Sequence, residues 1–159
     1  MAELLRLTFE RAVKLLAAKP RSVAELRERL LRGKGANEEV VNTVISRLEE
    51  YGYLNDERFA FSYASYKVKQ KPVGRRRLER DLKFKKVESG VANEALEMVY
   101  AETSEEQLID QAIAKRLRIR GRPKNRVEAK SLFDHLLRQG FPFELVSDKV
   151  RSACNLEDE

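Results

Sequence analysis

Ser22-Val-Ala-Glu-Leu26-Arg-Glu-Arg-Leu30-Leu-Arg32 sets two leucines one helical turn apart behind a Ser and Glu spaced as a capping box. The frame returns in Pro72-Val-Gly-Arg-Arg-Arg-Leu78-Glu-Arg-Asp-Leu82-Lys83 and again in Arg126-Val-Glu-Ala-Lys-Ser-Leu132-Phe-Asp-His-Leu136-Leu-Arg138, at offsets of 52 to 54 residues. A second apolar series follows each copy: Val41, Ile45 and Leu48, then Ala92, Leu96 and Val99, then Val146, Val150 and Ala153. One small helical unit is therefore used three times.

Working outward, apolar residues recur at spacings of three and four almost everywhere, and the alternation of a half-buried strand is missing. The expected fold is all-α, with eight or nine helices in three tandem three-helix repeats that form an elongated, curved molecule. The repeats are expected at residues 1–53, 54–103 and 104–154, followed by an acidic tail at 155–159. Units of this size lie near the lower limit for a self-sufficient core, so neighbouring repeats should stabilise one another.

Charged residues make up 36% of the 159-residue chain against about 25% in an average protein, while 42% hydrophobic residues still suffice for a packed interior. With 32 Lys and Arg against 26 Asp and Glu, the net charge of +6 points to a polyanionic partner. One cysteine, Cys154, excludes an intramolecular disulfide and fits a reducing cytoplasm. No apolar run approaches the ~18 residues of a membrane span, and Glu3 and Glu10 interrupt the first stripe, so a soluble protein without membrane attachment is expected.

Catalytic equipment is sparse. The one histidine, His135, falls between Leu132 and Leu136 and reads as a flank residue of a core helix. Cys154 has no second cysteine with which to hold a metal, so neither a metal nor a cofactor is expected. Gly33-Lys34-Gly35 lacks the upstream glycine, the following Ser or Thr and the preceding strand of a phosphate loop. An enzyme is not expected.

Basic charge, by contrast, is placed repeatedly. Residues 67–86 hold ten cations against Glu79 and Asp81, a net +8, and residues 115–130 hold eight against Glu128, a net +7. Both runs span the joint between the first and second helix of a repeat. At 100° per residue, Arg76, Arg80 and Lys83 share a stripe opposite Leu78 and Leu82, flanked by Arg75 and Arg77. Lys115, Arg118 and Arg122 gather in the same way opposite Ile113 and Leu117, with Arg122 inside the helix break expected at Gly121-Arg-Pro123. These eight residues are the candidate contacts to a partner or to DNA. The aromatic group Tyr51, Tyr53, Phe59, Phe61, Tyr63 and Tyr66 marks the first joint, where packing between repeats is the expected role.

At that joint, Gly52-Tyr-Leu-Asn-Asp56-Glu-Arg-Phe-Ala60 followed by Gly74-Arg-Arg-Arg-Leu78-Glu-Arg-Asp-Leu82 resembles the RecX family of bacterial regulators. Pro20-Arg21-Ser22, Glu25-Leu26 and Leu136-Leu-Arg-Gln-Gly140-Phe141 extend the resemblance over nearly the whole chain. What it implies is a non-enzymatic protein that binds the RecA filament and restrains its ATPase, strand-exchange and co-protease activities; a monomer is expected. Single- or double-stranded DNA would then be met through the basic surface. The alternative is a free-standing DNA-binding protein with units like helix-turn-helix modules. Neither Gly33-Lys-Gly35 nor Lys85-Lys-Val87 provides the short turn which that motif expects.

Overall fold

The computed structural model describes residues 1–154 of the chain. Among them every regular element is a helix: α1 (Ala2–Ala18), α2 (Val23–Leu31), α3 (Glu38–Glu50), α4 (Asp56–Gln70), α5 (Arg75–Phe84), α6 (Ser89–Glu102), α7 (Glu105–Arg120), α8 (Arg126–Arg138) and α9 (Phe143–Cys154). The acidic tail expected at 155–159 lies outside the described residues. The helix starts follow from side-chain chemistry. Ser22 and Ser104 close full capping boxes with Glu25 and Gln107, while Asn37, Asn55 and Asn125 accept the N–H three residues on.

The repeated leucines are buried in every copy. Leu26 and Leu30, Leu78 and Leu82, and Leu132 and Leu136 are each at most 2% exposed. They centre three clusters, one per three-helix unit. In the first, Leu26 and Leu30 meet Val41, Val44, Ile45 and Leu48, and Leu54 from beyond α3 joins them. In the second, Leu78 and Leu82 meet Phe59, Ala64, Leu96 and Val99. In the third, Leu132 and Leu136 meet Ile109, Ile113, Phe141, Val146 and Val150. Val68 and Tyr100 pack against both the second and the third cluster, which joins those units through apolar contact.

The joints repeat as well. The backbone N–H of Val23, first residue of α2, donates to the Asp56 carboxylate at the first position of α4 (2.8 Å), and the N–H of Arg75, first residue of α5, donates to Glu105 at the first position of α7 (3.1 Å). Each satisfies a helix N–H that has no partner within its own helix, with a carboxylate from the next unit. Each joint also ties the start of that second helix to the end of the next unit's second helix. The Ser22 hydroxyl donates to the Lys85 carbonyl (2.7 Å), and Gly74 N–H donates to the Gln139 carbonyl (2.8 Å). Lys86 and Gly140, the residues that follow, both have positive φ, 60° and 96°. Among the described residues, hydrogen bonds and ion pairs between units join sequence neighbours only, the nearest-neighbour arrangement of a tandem repeat.

Asp56 makes the first joint sensitive to pH. Burial raises its carboxyl above the ordinary aspartate range; the bond from Val23 N–H opposes this shift, and Glu25 adds to it. The folded chain therefore holds this proton more tightly than the unfolded chain does. Its contribution to stability is present at acid pH and declines as pH rises through the raised folded value. Asp56→Asn, whose amide oxygen can still accept from Val23, should flatten that segment of a plot of urea-unfolding free energy against pH. Asp56→Ala should instead lose about 1 kcal/mol at neutral pH.

The aromatic group at the first joint requires a correction. Phe59 is 8% exposed and stacks on Tyr63, with ring centroids 6.1 Å apart. Tyr63 donates to Asp81, its hydroxyl pushed up to about 12 chiefly by burial, and Lys67 and Lys85 lie over its ring. Tyr51, Tyr53 and Tyr66, however, are 61%, 63% and 59% exposed. Tyr51 and Tyr53 thus lie exposed ahead of α4, and Tyr66 lies exposed beyond Tyr63 on the same face of α4. A tyrosine tolerates this because its hydroxyl is hydrated while its ring lies along the surface.

Candidate polyanion-binding surface

α5 begins at Gly74 without a side-chain cap and carries Arg75, Arg76 and Arg77 in its first turn. Three cations at the positive end of a helix dipole cost stability, about 0.3–1 kcal/mol each when exposed at low salt. The backbone N–H groups there are already engaged, Gly74 to Gln139, Arg75 to Glu105 and Arg76 to the Gly140 carbonyl. Anion recognition at this end of α5 therefore falls to side chains.

The eight candidate residues divide into two groups. Arg75 pairs with Glu79 (3.0 Å), and Arg77 donates to the Gln139 side chain across the second joint (2.8 Å). Both are half-buried and serve the fold. Arg76, Arg80 and Lys83 are exposed on the face of α5 opposite Leu78 and Leu82, and among the described residues none of the three has a carboxylate partner. Phe84, one helical turn beyond Arg80, is 88% exposed at the end of this stripe. Sequence reading passed over it because a lone surface aromatic is ordinary; its alignment with three cations is what distinguishes it.

On α7, Lys115 and Arg118 are exposed as expected. Arg122 is exposed too, but it is not on the helical stripe. α7 ends at Arg120, and Gly121 turns the chain at φ 75° ahead of Pro123. A helical wheel extended through Gly121 places Arg122 on a face that no longer exists.

A second basic feature emerges only from the packing. A groove of about 300 Å³ runs between α7, α8 and the Lys71-Pro72 linker, lined by Lys115, Arg116, Arg120, His135 and Gln139 with Ala112 and Ile119. The Arg116 guanidinium donates to the Ser131 hydroxyl at 3.3 Å. Burial, followed by the charges of Arg120 and Arg138, lowers the Arg116 pKa from its ordinary value. Burial likewise pushes the His135 imidazole down, aided by Arg116, Arg138, Arg120 and Lys71. Among the described residues none of these four cations is ion-paired. The i, i+4 spacing of Arg116 and Arg120 is visible in the sequence; their convergence with Lys71 and His135, far apart along the chain, is not.

Among the described residues there is no cluster of His, Cys, Asp or Glu fit to hold a metal ion, and no helix is long and apolar enough to cross a membrane. Residues 9–48 match the family described as RecX, first three-helix domain, and residues 55–96 match RecX, second three-helix domain. The regulatory protein RecX of Amycolatopsis mediterranei is 34% identical over 141 residues, covering 86% of this chain and 79% of that protein. Its counterpart in Bacillus velezensis is 33% identical over 141 residues, covering 87% of this chain and 52% of its own length. The crystal structure of RecX from Lactobacillus salivarius superposes with a TM-score of 0.83 at 19% identity, covering 98% of this chain and 99% of that one.

Proposed function

The chain belongs to the RecX family of regulatory proteins, and from that membership we propose that it binds the RecA recombinase filament on DNA and restrains its ATPase, strand-exchange and co-protease activities. The observation that carries this reading is the exposed cations without carboxylate partners in the second and third units, on the second helix of one and the first helix of the other: Arg76, Arg80 and Lys83 on α5, Lys115 and Arg118 on α7, and Arg122 just beyond α7. A filament on DNA offers acidic protein surface and phosphate together at a regular spacing. Several weak contacts held at fixed separations combine through effective concentration, so none needs to be strong. Restraint follows if the bound form disfavours the active filament, because a ligand shifts an equilibrium only by its differential affinity for the two states. The protein acts as a regulator without chemistry of its own, as a monomer, in the compartment where recombination filaments form.

Titration of the chain into a RecA ATPase assay driven by single-stranded DNA tests the proposal. Turnover should fall at ratios below one chain per RecA protomer, since disruption of a filament acts on more protomers than it touches. Unchanged turnover at excess chain would overturn it. A parallel gel shift with DNA alone should give weak binding indifferent to sequence; tight sequence-specific binding without RecA would instead favour the free-standing DNA-binding protein.

A further inference from the structure

The groove at the second joint differs from the α5 stripe in being concave and partly desolvated. Its lining cations come from two segments, Lys71 from the linker and Lys115, Arg116 and Arg120 from α7, while α8 contributes His135, with the Arg138 charge close enough to act on that ring. Like charges gathered in a recess repel one another, and burial first, then that repulsion, lowers the proton affinities of Arg116 and His135. Such an arrangement is relieved by an anion. The walls narrow the choice of anion. Pro72, Ala112 and Ile119, the last 72% exposed, supply apolar surface beside the cations, suited to the sugars that flank a phosphodiester. Lys71, Lys115, Arg116 and Arg120 all line the groove, so more than one cation is available to a strand carrying successive phosphates.

We infer that this groove is a phosphodiester-binding site for single-stranded nucleic acid, with Lys71, Arg116 and Arg120 holding a backbone phosphate and His135 serving as a titratable donor beside them. The inference rests on the reading of the chain as a ligand of DNA-bound filaments, and names where the DNA strand itself is met. One nitrogen of Arg116 is held by Ser131, which orients the rest of the guanidinium fork. His135 is faced by Arg116 and Arg120 from α7, by Arg138 from its own helix and by Lys71 from the linker; the neighbouring Asp134 is paired with Lys130. A bound phosphate therefore adds the nearby negative charge that stabilises the imidazolium. By linkage, affinity for the strand must rise as pH falls through the titration of His135.

His135 is the chain's one histidine, so its Hε1 ring proton gives a single unambiguous NMR signal. The test is to titrate that signal with pH in the full-length chain, alone, with a short oligothymidylate, and with oligoglutamate of matched charge, at constant ionic strength. The oligothymidylate should raise the His135 pKa by about one unit, equivalent to roughly tenfold tighter binding by the imidazolium form. Oligoglutamate should raise it less. Arg116→Gln with Arg120→Gln should abolish the shift while the remaining amide spectrum stays in place, and Lys14→Glu, at an exposed position on α1 in the first unit, should leave it intact. An unmoved His135, a shift that survives loss of both arginines, or a larger response to oligoglutamate would each overturn the assignment. No RecA is present, so failure here combined with normal ATPase inhibition removes the groove alone. A normal His135 response combined with no inhibition removes the filament reading instead.

Discussion

Replacing Gly140 by alanine is expected to destabilise the chain by about 4 kcal/mol, near the upper end of single-residue effects. Two costs combine. Gly140 has a φ of 96°, where an L side chain is strained by about 1–2 kcal/mol. A Cβ placed there would also lie 2.4 Å from the Arg77 nitrogen, 2.6 Å from the Arg77 Cβ and 2.9 Å from the Gly74 carbonyl oxygen. Much of that obstruction is backbone, so no rotamer change relieves it; the second and third units must move apart. Separation would break the bonds from Gly74 to Gln139, from Arg76 to Gly140 and from Arg77 to the Gln139 side chain. Gly52→Ala is the matched control. It has a φ of 77° but open space around the added methyl, so about 1–2 kcal/mol of backbone strain is all it should lose. Urea unfolding of the two variants compares them directly. Equal losses would mean that the close approach at the joint contributes little. A biphasic transition in Gly140→Ala alone would show the third unit detaching first, as nearest-neighbour coupling predicts.

Much of this fold could be read from the sequence because the features that determine it are local. Paired leucines at i and i+4, Ser and Asn caps, and the glycine after α3 each act within one or two helical turns, and the repeat supplied three independent readings of one pattern. The joints were less legible. Nothing in the periodicity indicates that Asp56 and Glu105 satisfy the N–H groups of Val23 and Arg75, because those partners lie 33 and 30 residues away. Seen in the structure, the recurrence is plain and assigns a reason to Gly74. A Cβ on Gly74 would come within 2.3 Å of the Gly140 backbone.

The candidate surface was legible in part for the same reason. A helical wheel identifies which side chains face away from buried leucines, and it placed Arg76, Arg80, Lys83, Lys115 and Arg118 on exposed faces. It cannot tell which cations are held by a neighbouring unit, so Arg77, which reaches Gln139, looked equivalent to the others, whereas the pairing of Arg75 with Glu79 lies within one helix at i, i+4. It also assumes that a helix continues, and α7 ends at Arg120, at the break that Gly121-Arg-Pro123 marks in the sequence, so Arg122 lies beyond the wheel. The groove at the second joint required tertiary packing, since Lys71 and His135 belong to different units.

The α5 stripe carries the other large effect. Arg76→Glu, Arg80→Glu and Lys83→Glu together remove three cations and introduce three anions on one face. If each cation neutralises a phosphate or a filament carboxylate, filament affinity should fall on the order of a thousandfold near 0.1 M salt. Stability should hardly change. A glutamate at position 76 suits the positive helix start better than arginine does, by about 0.3–1 kcal/mol, and one at position 83, in the last turn, is unfavourable by a similar amount. This separation of binding from stability is the signature of residues selected for a partner at some expense to the helix that carries them.

The most direct measurement is therefore the equilibrium binding of the wild-type and triple-glutamate chains to preassembled RecA filaments on single-stranded DNA over a range of salt concentrations. The wild-type log affinity should fall linearly with log salt, with a slope near −0.7 for each strand phosphate contacted, while the variant binds far more weakly and with a shallower slope. Equal affinities and equal slopes in two chains of equal helix content would contradict the assignment of this face to the filament.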